Sequence, residues 1–149
     1  MNRYSQKATE YFKQGYNCAQ SVFCTFSEEF GIDFETSLKL SSSFGGGMGR
    51  LREVCGAVSA MFMVVGLKHG YTEPNNDEVK ENHYKRVQKL AQEFEKINGS
   101  IICRELLNLD IKHDIPTPEK RSEQYYKNRP CAKLVESACE ILYNYILNQ

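Results

Sequence analysis

Apolar residues recur along this chain at the spacings of three and four positions that place them on one face of an α-helix. The clearest stripe predicts a long helix that opens at the polar cap Asn75–Asp77 and ends at Gly99. The stripe consists of Val79, His83, Val87, Leu90, Phe94 and Ile97. A similar stripe, with Leu134 and Leu142 on one face, predicts the last helix from Cys131 to Leu147.

Shorter segments with the same periodicity predict the remaining helices. They run from Tyr4 to Gly15, from Ala19 to Gly31, from Asp33 to Ser43 and from Ser100 to Leu107. The polar segment Asp110 to Asn128 contains Pro116 and Pro118 and predicts a loop, with a turn or two of helix around Glu119–Tyr126. No segment shows the alternation of a half-buried strand.

One segment is apolar on nearly every side: the stretch from Val54 to Leu67 is interrupted only by Ser59. It is too short to cross a bilayer, since a transmembrane helix needs about 20 residues. We therefore interpret it as a buried helix. The pattern predicts an all-α fold, a compact helical bundle of about six to seven helices around this central helix. Residues 1–149 are expected to form one domain.

Composition narrows the functional classes. The chain has 19 basic and 19 acidic residues, so no net charge favours nucleic acid or a membrane as a partner. The first residues lack the apolar core of a signal peptide, which indicates a cytoplasmic protein. Cysteines are normally reduced there, so the six cysteines favour catalysis or metal binding over permanent disulfides. An exposed apolar helix face would favour a homodimer, but the pattern does not assign such a face.

Four of the cysteines fall where helices are predicted to begin. Each follows a capping residue, a glycine run or a proline, and they are Cys18, Cys55, Cys103 and Cys131. Unpaired backbone N–H groups and the positive end of the helix dipole favour an anion at such a place. For a cysteine that anion is the thiolate, the form that attacks disulfides and binds metals.

Arginines lie close in sequence to three of these cysteines. They are Arg50 and Arg52 before Cys55, Arg104 beside Cys103, and Arg129 before Cys131. Positive charge lowers a thiol pKa, so the four cysteines favour one shared site, at an end of the bundle where helix N-termini gather. Cys24 and Cys139 fall inside predicted helices without a cationic neighbour, and we expect them to pack in the core.

A run of glycines precedes Cys55. It consists of Gly45, Gly46, Gly47 and Gly49 and is followed by Arg50. The run lacks the ending of a P-loop and no strand precedes it, so it does not favour a nucleotide site. Its backbone N–H groups, with Arg50, are candidates to bind a thiolate, a sulfur anion or a small substrate. The alternative is a tight connection between packed helices.

The three histidines have no ligand-like spacing and stay outside the candidate site. His83 belongs to an apolar stripe and is expected to be partly buried with its hydrogen bonds made. His69 is expected at a helix C-terminus, where its cation is stabilising, and His113 lies in the predicted loop.

The segment Cys55-Gly56-Ala57-Val58-Ser59-Ala60 resembles the C-G-A-x-x-G signature of the redox-active proteins named for their C…GCAxxG…C…C pattern. The order and spacing of the four cysteines and the glycine run resemble this family over essentially the whole chain. Ala60 departs from the pattern, since the signature has its last glycine there. The resemblance implies a redox role for the four cysteines and implies nothing about the substrate.

Thiol redox chemistry is the leading functional hypothesis. One thiolate, with Cys55 as the first candidate, attacks an oxidised partner, and a second cysteine resolves the mixed disulfide. The partner would be a redox protein or a small sulfur or thiol compound. Alternatively, Cys18, Cys55, Cys103 and Cys131 bind zinc or an iron–sulfur cluster. A third hypothesis is a helical interaction module whose cysteines only pack.

Overall fold

The computed structural model describes residues 1–147, and the fold there is all-α, as predicted. Short turns follow two of the helices, a 3₁₀ turn at Glu28–Phe30 and a π-helical turn at Tyr143–Leu147. The helices are α1 (Arg3–Lys13), α2 (Cys18–Ser27), α3 (Phe34–Ser42), α4 (Gly45–Met48), α5 (Gly56–His69), α6 (Asp77–Asn98), α7 (Cys103–Leu106), α8 (Glu123–Asn128) and α9 (Cys131–Leu142). Assignment of residues 1–149 to one domain stays a prediction, and residues 148 and 149 lie outside the described part.

Helix α5 is the centre of the bundle, as its apolar sequence predicts. It packs against α2, α6 and α9. Its fully buried side chains include Val58, Met61, Val64 and Val65. Burying each such side chain contributes about 1.5–3 kcal/mol, so this helix supplies much of the driving force for the fold. The helices around it hide their own apolar stripes against it.

The helix starts follow from local capping. Asn17 accepts a hydrogen bond from the backbone N–H of Gln20 at 2.9 Å, and the Gln20 side chain accepts one from the Asn17 N–H at 3.1 Å. At the starts of α3 and α6, the side chains of Asp33 and Asn76 each accept one backbone N–H, without the reciprocal bond. Each cap satisfies backbone donors that the first turn of a helix leaves unpaired. These starts agree with the sequence prediction.

The start of α5 differs from the prediction, because a short antiparallel contact precedes the helix. Val54 forms an isolated β-bridge with Ile102. The N–H of Cys55 donates to the Ile101 carbonyl at 2.8 Å, and the N–H of Cys103 donates to the Glu53 carbonyl at 2.6 Å. The helix therefore begins at Gly56 and not at Val54. The bridge holds the starts of α5 and α7 side by side.

Residues 108–122, which we call the covering segment, connect α7 to α8 without regular structure. The prolines prevent a continuous helix there, as predicted. Helix α7 is shorter than expected, because it begins at Cys103 and not at Ser100. Within residues 1–147, no helix is both long enough and apolar enough to cross a membrane.

Candidate functional site

The starts of α2, α5, α7 and α9 meet around one cavity of about 240 Å³. All four cysteines that the sequence analysis grouped together line it, and they are Cys18, Cys55, Cys103 and Cys131. Each is the first residue of its helix or, for Cys55, the residue just before it. The fold thus brings together residues from four separate parts of the chain.

Cys18 is the thiol best stabilised as an anion. The Cys55 thiol donates toward its sulfur, and so do the backbone N–H groups of Gly46, Ala19 and Gly56. These donors outweigh the effect of burial and lower the pKa of Cys18 to about 6. The Cys18 side chain is therefore mainly a thiolate at neutral pH.

Cys55 has the opposite protonation state. The hydrogen bond that Cys55 donates to Cys18 has the largest effect and burial the next largest, and together they raise the pKa of Cys55 well above its ordinary value. Only 4% of Cys55 is exposed. The expectation that Cys55 is the attacking thiolate is therefore not supported by this geometry, which assigns the thiolate to Cys18 and the neighbouring protonated thiol to Cys55.

The arginines that precede Cys55 in sequence do not lower its pKa, because their side chains contact other groups. Asp114 of the covering segment accepts from Nη2 of Arg50 at 2.9 Å and from Nη2 of Arg52 at 3.0 Å. Nη1 of Arg52 lies 3.6 Å from the sulfur of Cys103. The cation that the sequence places beside Cys55 thus contacts Cys103.

Cys103 is a protonated thiol despite this contact. Burial raises its pKa, and the hydrogen bond from Arg52 offsets that effect only in part. Arg52 also forms an ion pair with Asp114, and it lowers the pKa of that carboxyl group. Arg104, which adjoins Cys103 in sequence, donates instead to the carbonyls of Arg52 and Lys112.

The glycine run forms a left-handed turn against the cavity. Positive φ angles occur at Gly46, Gly47, Met48, Gly49, Arg50 and Arg52. A left-handed conformation costs about 1–2 kcal/mol for a residue with a side chain, so the rest of the fold must hold this segment in place. The turn directs the Gly46 N–H toward Cys18.

Several glycines are needed because neighbouring groups approach closely. A Cβ on Gly56 would lie 2.6 Å from the Cys18 sulfur, and one on Gly45 would lie 2.4 Å from the Asn17 side chain. Of the residues proposed to bind an anion, Gly45, Gly46 and Arg50 line the cavity. Gly47 packs behind it against Cys103, where a Cβ would lie 2.6 Å from the Cys103 Cβ. Gly49 ends α4 in a left-handed conformation.

A family model described as "Putative redox-active protein (C_GCAxxG_C_C)" matches residues 16–145. The chain belongs to this family. No curated protein and no solved structure matches the chain. The match confirms the resemblance seen in the cysteine pattern. It extends from just before α2 into the turn that follows α9, and so includes all four cavity cysteines of the C_GCAxxG_C_C pattern.

The geometry gives a physical reason for the second residue of the family signature. In this member of the C_GCAxxG_C_C family, Gly56 allows its own N–H and the sulfur of Cys18 to approach. Ala60, at the position of the last glycine of the signature, is fully buried in α5. The methyl group of Ala60 is thus accommodated in the core and lies outside the cavity lining.

Cys131, the last cysteine of the family pattern, also lines the cavity but is not activated. Burial, followed in size of effect by the neighbouring sulfurs of Cys18 and Cys103, raises its pKa to about 12. Arg129 forms an ion pair with Glu119 of the covering segment. A position at a helix start is therefore not sufficient to produce a thiolate.

Sequence reasoning missed part of the cavity wall. Arg121 donates to the carbonyls of Phe12 at 2.8 Å and Tyr16 at 3.0 Å, which are at or just beyond the end of α1. Its guanidinium lies over the rings of Phe12 and Tyr125, 4.2 and 5.0 Å from their centroids. Arg121 and Asp114 belong to the irregular covering segment, where no periodicity marks their neighbours.

The cysteines outside the family pattern are buried in helices, as expected. Cys24 and Cys139 are 4% and 0% exposed. Burial raises both pKa values, that of Cys24 to about 11. These two thiols are therefore inert packing groups.

The histidines and possible metal ligands complete the description. His83 is buried rather than partly buried, and its Nδ1 atom has no hydrogen-bond partner within the described residues, contrary to the expectation that its hydrogen bonds are made. The Tyr71 ring packs edge-on against His83. Across residues 1–147, no three His, Cys, Asp or Glu side chains are arranged to hold a metal ion.

Proposed function

We propose that this protein is a thiol–disulfide oxidoreductase in which Cys18 is the nucleophile and Cys55 the resolving cysteine. The convergence of the Cys55 thiol and three backbone N–H groups on the Cys18 sulfur is the observation that supports this assignment. A thiolate with a pKa near ambient pH is favoured as an attacking group, since it is both populated and nucleophilic.

The proposed reaction has two exchange steps. The Cys18 thiolate attacks one sulfur of a disulfide R–S–S–R, forming a Cys18–S–S–R mixed disulfide and releasing R–S⁻. Cys55 then loses its proton to the released thiolate and attacks the Cys18 sulfur, which forms the Cys18–Cys55 disulfide and releases a second R–S⁻. The two cysteines are oxidised by two electrons, and the substrate is reduced to one thiol and one thiolate.

The neighbouring cavity cysteines have a different part in this proposal. Cys103 and Cys131 have raised pKa values and stay protonated while Cys18 reacts. They do not compete for the substrate, so the attack is directed to one sulfur. The zinc or iron–sulfur alternative uses the same four side chains but gains no support from their arrangement.

The test is disulfide mapping on the full chain. The reduced protein is treated under anaerobic conditions with hydroxyethyl disulfide and analysed by intact mass and peptide mapping. We expect loss of two thiols through a Cys18–Cys55 disulfide and their recovery with dithiothreitol. The Cys55→Ala variant should stop at the mixed disulfide on Cys18, whereas Cys24→Ala should behave like the parent protein.

Two outcomes would contradict the proposal. One is oxidation that leaves Cys18 unmodified, and the other is a metal ion bound in stoichiometric amount and lost when the four cavity cysteines are replaced. Metal content of the anaerobically purified protein, measured on the same sample, distinguishes the second case.

A further inference from the structure

The reactive sulfurs are recessed below the protein surface. Cys55 and Cys103 are 4% and 7% exposed, and Cys18 and Cys131 are half-buried. Pro118, Glu119 and Arg121 of the covering segment form part of the cavity wall. A disulfide within a folded protein would have to bring its two flanking backbones into this space. A cavity of about 240 Å³ instead suits a small molecule.

The cavity wall carries more positive than negative charge. Arg50, Arg52, Arg121 and Arg129 all line it. Asp114 pairs with the first two and Glu119 with the last, whereas Arg121 forms no ion pair within residues 1–147. Its hydrogen bonds go to backbone carbonyls, which leave its charge uncompensated. A guanidinium in a recessed site attracts carboxylates and pairs well with their geometry.

Much of the remaining wall is apolar. It includes the side chains of Phe12, Leu106, Leu107, Tyr125 and Leu134. Such a surface stabilises the hydrocarbon part of a ligand and offers little to a small inorganic sulfur anion. The cavity thus combines a thiolate, an uncompensated guanidinium and apolar walls.

On the basis of the thiol–disulfide exchange proposed above, we propose that the substrate is a low-molecular-weight organic disulfide that carries a carboxylate, which Arg121 binds. The carboxylate pairs with the Arg121 guanidinium while the aliphatic or aromatic part of the molecule contacts the apolar wall. One sulfur of the substrate accepts the attack of Cys18, and the other leaves as R–S⁻, as in the two exchange steps above.

The test compares three disulfides on the reduced full-length protein. Dithiodipropionate and hydroxyethyl disulfide are similar in size but differ in charge, and insulin supplies a disulfide within a protein. Formation of the Cys18–Cys55 disulfide is followed by quenching and mass analysis, and each rate is divided by the rate of the same disulfide with free cysteine. We expect dithiodipropionate to react about tenfold faster than hydroxyethyl disulfide on this corrected scale, and insulin to react slowest.

Variants of the wall test the role of Arg121. Arg121→Gln should reduce the ratio of the dithiodipropionate rate to the hydroxyethyl disulfide rate from about ten to about one. Lys127→Gln removes the same charge from an exposed position on α8 and should leave the preference unchanged. If Arg121→Gln does not fold, Glu119→Gln keeps the test open. It removes a partly exposed carboxylate from the wall and should increase the preference.

The outcomes separate the two proposals. Equal corrected rates for the two small disulfides, or fastest reaction with insulin, would overturn the substrate assignment and leave the thiol exchange intact. Failure of all three disulfides to oxidise Cys18 and Cys55 would overturn the exchange itself, and the substrate assignment with it.

Discussion

The starts of α2 and α9 are alike in sequence logic but differ in chemistry. Each helix begins with a cysteine that lines the same cavity, Cys18 in one and Cys131 in the other. The pKa of Cys18 is lowered to about 6, whereas that of Cys131 is raised to about 12. Both sulfurs are subject to burial, which raises the pKa of a thiol. The difference therefore comes from the groups around them.

The groups that distinguish the two sites come from other parts of the chain. Gly46 and Gly56 each direct a backbone N–H at Cys18, and Cys55 adds its thiol. Burial dominates at Cys131, and the sulfurs of Cys18 and Cys103 raise its pKa further. The comparison teaches that a helix start makes a thiolate only where additional donors converge on the sulfur.

The largest expected effect is on the reaction rate when Cys18 or Cys131 is replaced, and the two replacements should differ strongly. Cys18→Ala removes the proposed nucleophile and should reduce the rate of reaction with hydroxyethyl disulfide by about 100-fold or more. Cys131→Ala should change this rate less than about threefold, since its thiol is protonated. Stopped reactions analysed by mass give both rates. Equal losses in the two variants would remove the distinction between the helix starts.

A methyl group at position 56 should raise the pKa of Cys18, at the start of α2, toward that of Cys131, at the start of α9. The new Cβ would lie 2.6 Å from the Cys18 sulfur and 2.7 Å from the Phe44 carbonyl oxygen, so the donors must move apart. We expect Gly56→Ala to raise the pKa of Cys18 by about one unit, a tenfold change in its ionisation constant. The pH dependence of iodoacetamide alkylation at Cys18 measures this shift.

Gly66 provides the matched control on the same helix. A Cβ at that position meets no atom within 4 Å, so Gly66→Ala should leave alkylation of Cys18 unchanged. It should also increase the free energy of unfolding by about 0.5–1 kcal/mol, because alanine favours the helix over glycine. An equal pKa shift in both variants would show that Gly56 has no special role.

The contrast between the helix starts also predicts that alkylation of Cys18 and of Cys131 depends differently on pH. Alkylation of Cys18 should rise with a midpoint near pH 6, whereas Cys131 should react only in alkaline solution. Since folding lowers the pKa of Cys18, its ionisation stabilises the folded state fully above its unfolded pKa of about 8.5, and this contribution is lost as the pH falls through about 6.

Measurements of the free energy of unfolding test whether ionisation of Cys18 stabilises the folded state. The free energy of unfolding of the parent protein, minus that of Cys18→Ala, should increase between pH 6 and about pH 8.5. Urea titrations at several pH values give this difference. A flat difference over that range would mean that Cys18 is a thiol in the folded protein.

The smallest expected effect is on the pKa and alkylation rate of Cys103. Asp114→Asn keeps a hydrogen-bond acceptor for Arg52 but removes the negative charge that compensates it. The pKa of Cys103 should fall, and its alkylation should become about threefold faster at pH 8. Asp110→Asn, in the same segment and exposed, should have no effect. Slower alkylation in Asp114→Asn would show that Asp114 mainly positions Arg52.

Local signals explain which structural features the sequence predicts well. The caps at Asn17, Asp33 and Asn76 and the apolar α5 segment depend on residues within one or two turns, so pattern and capping rules locate these helices. The β-bridge between Val54 and Ile102 escapes the same rules, because it joins residues far apart in sequence. For this reason the start of α5 is displaced by two residues from its predicted position.

The candidate site likewise has a part that local patterns predict and a part that they do not. The cysteines that share the cavity were recognisable, since each follows a helix-start signal. The contacts of Arg52 with Cys103 and Asp114 were not, because sequence proximity to Cys55 says nothing about the direction of a long side chain. Arg121 was missed because the covering segment has no periodicity from which its neighbours can be inferred.

The sequence by itself determined that this protein is helical, that α5 is buried at its centre, and that four cysteines begin helices. These properties depend on spacing and capping within single segments. Only the tertiary structure decided that the pKa of Cys18 is lowered while that of Cys55 is raised, and that Arg121 forms no ion pair within residues 1–147. Both outcomes depend on donors and charges from distant segments, whose effect on a buried sulfur or guanidinium is set by distances that no local pattern encodes.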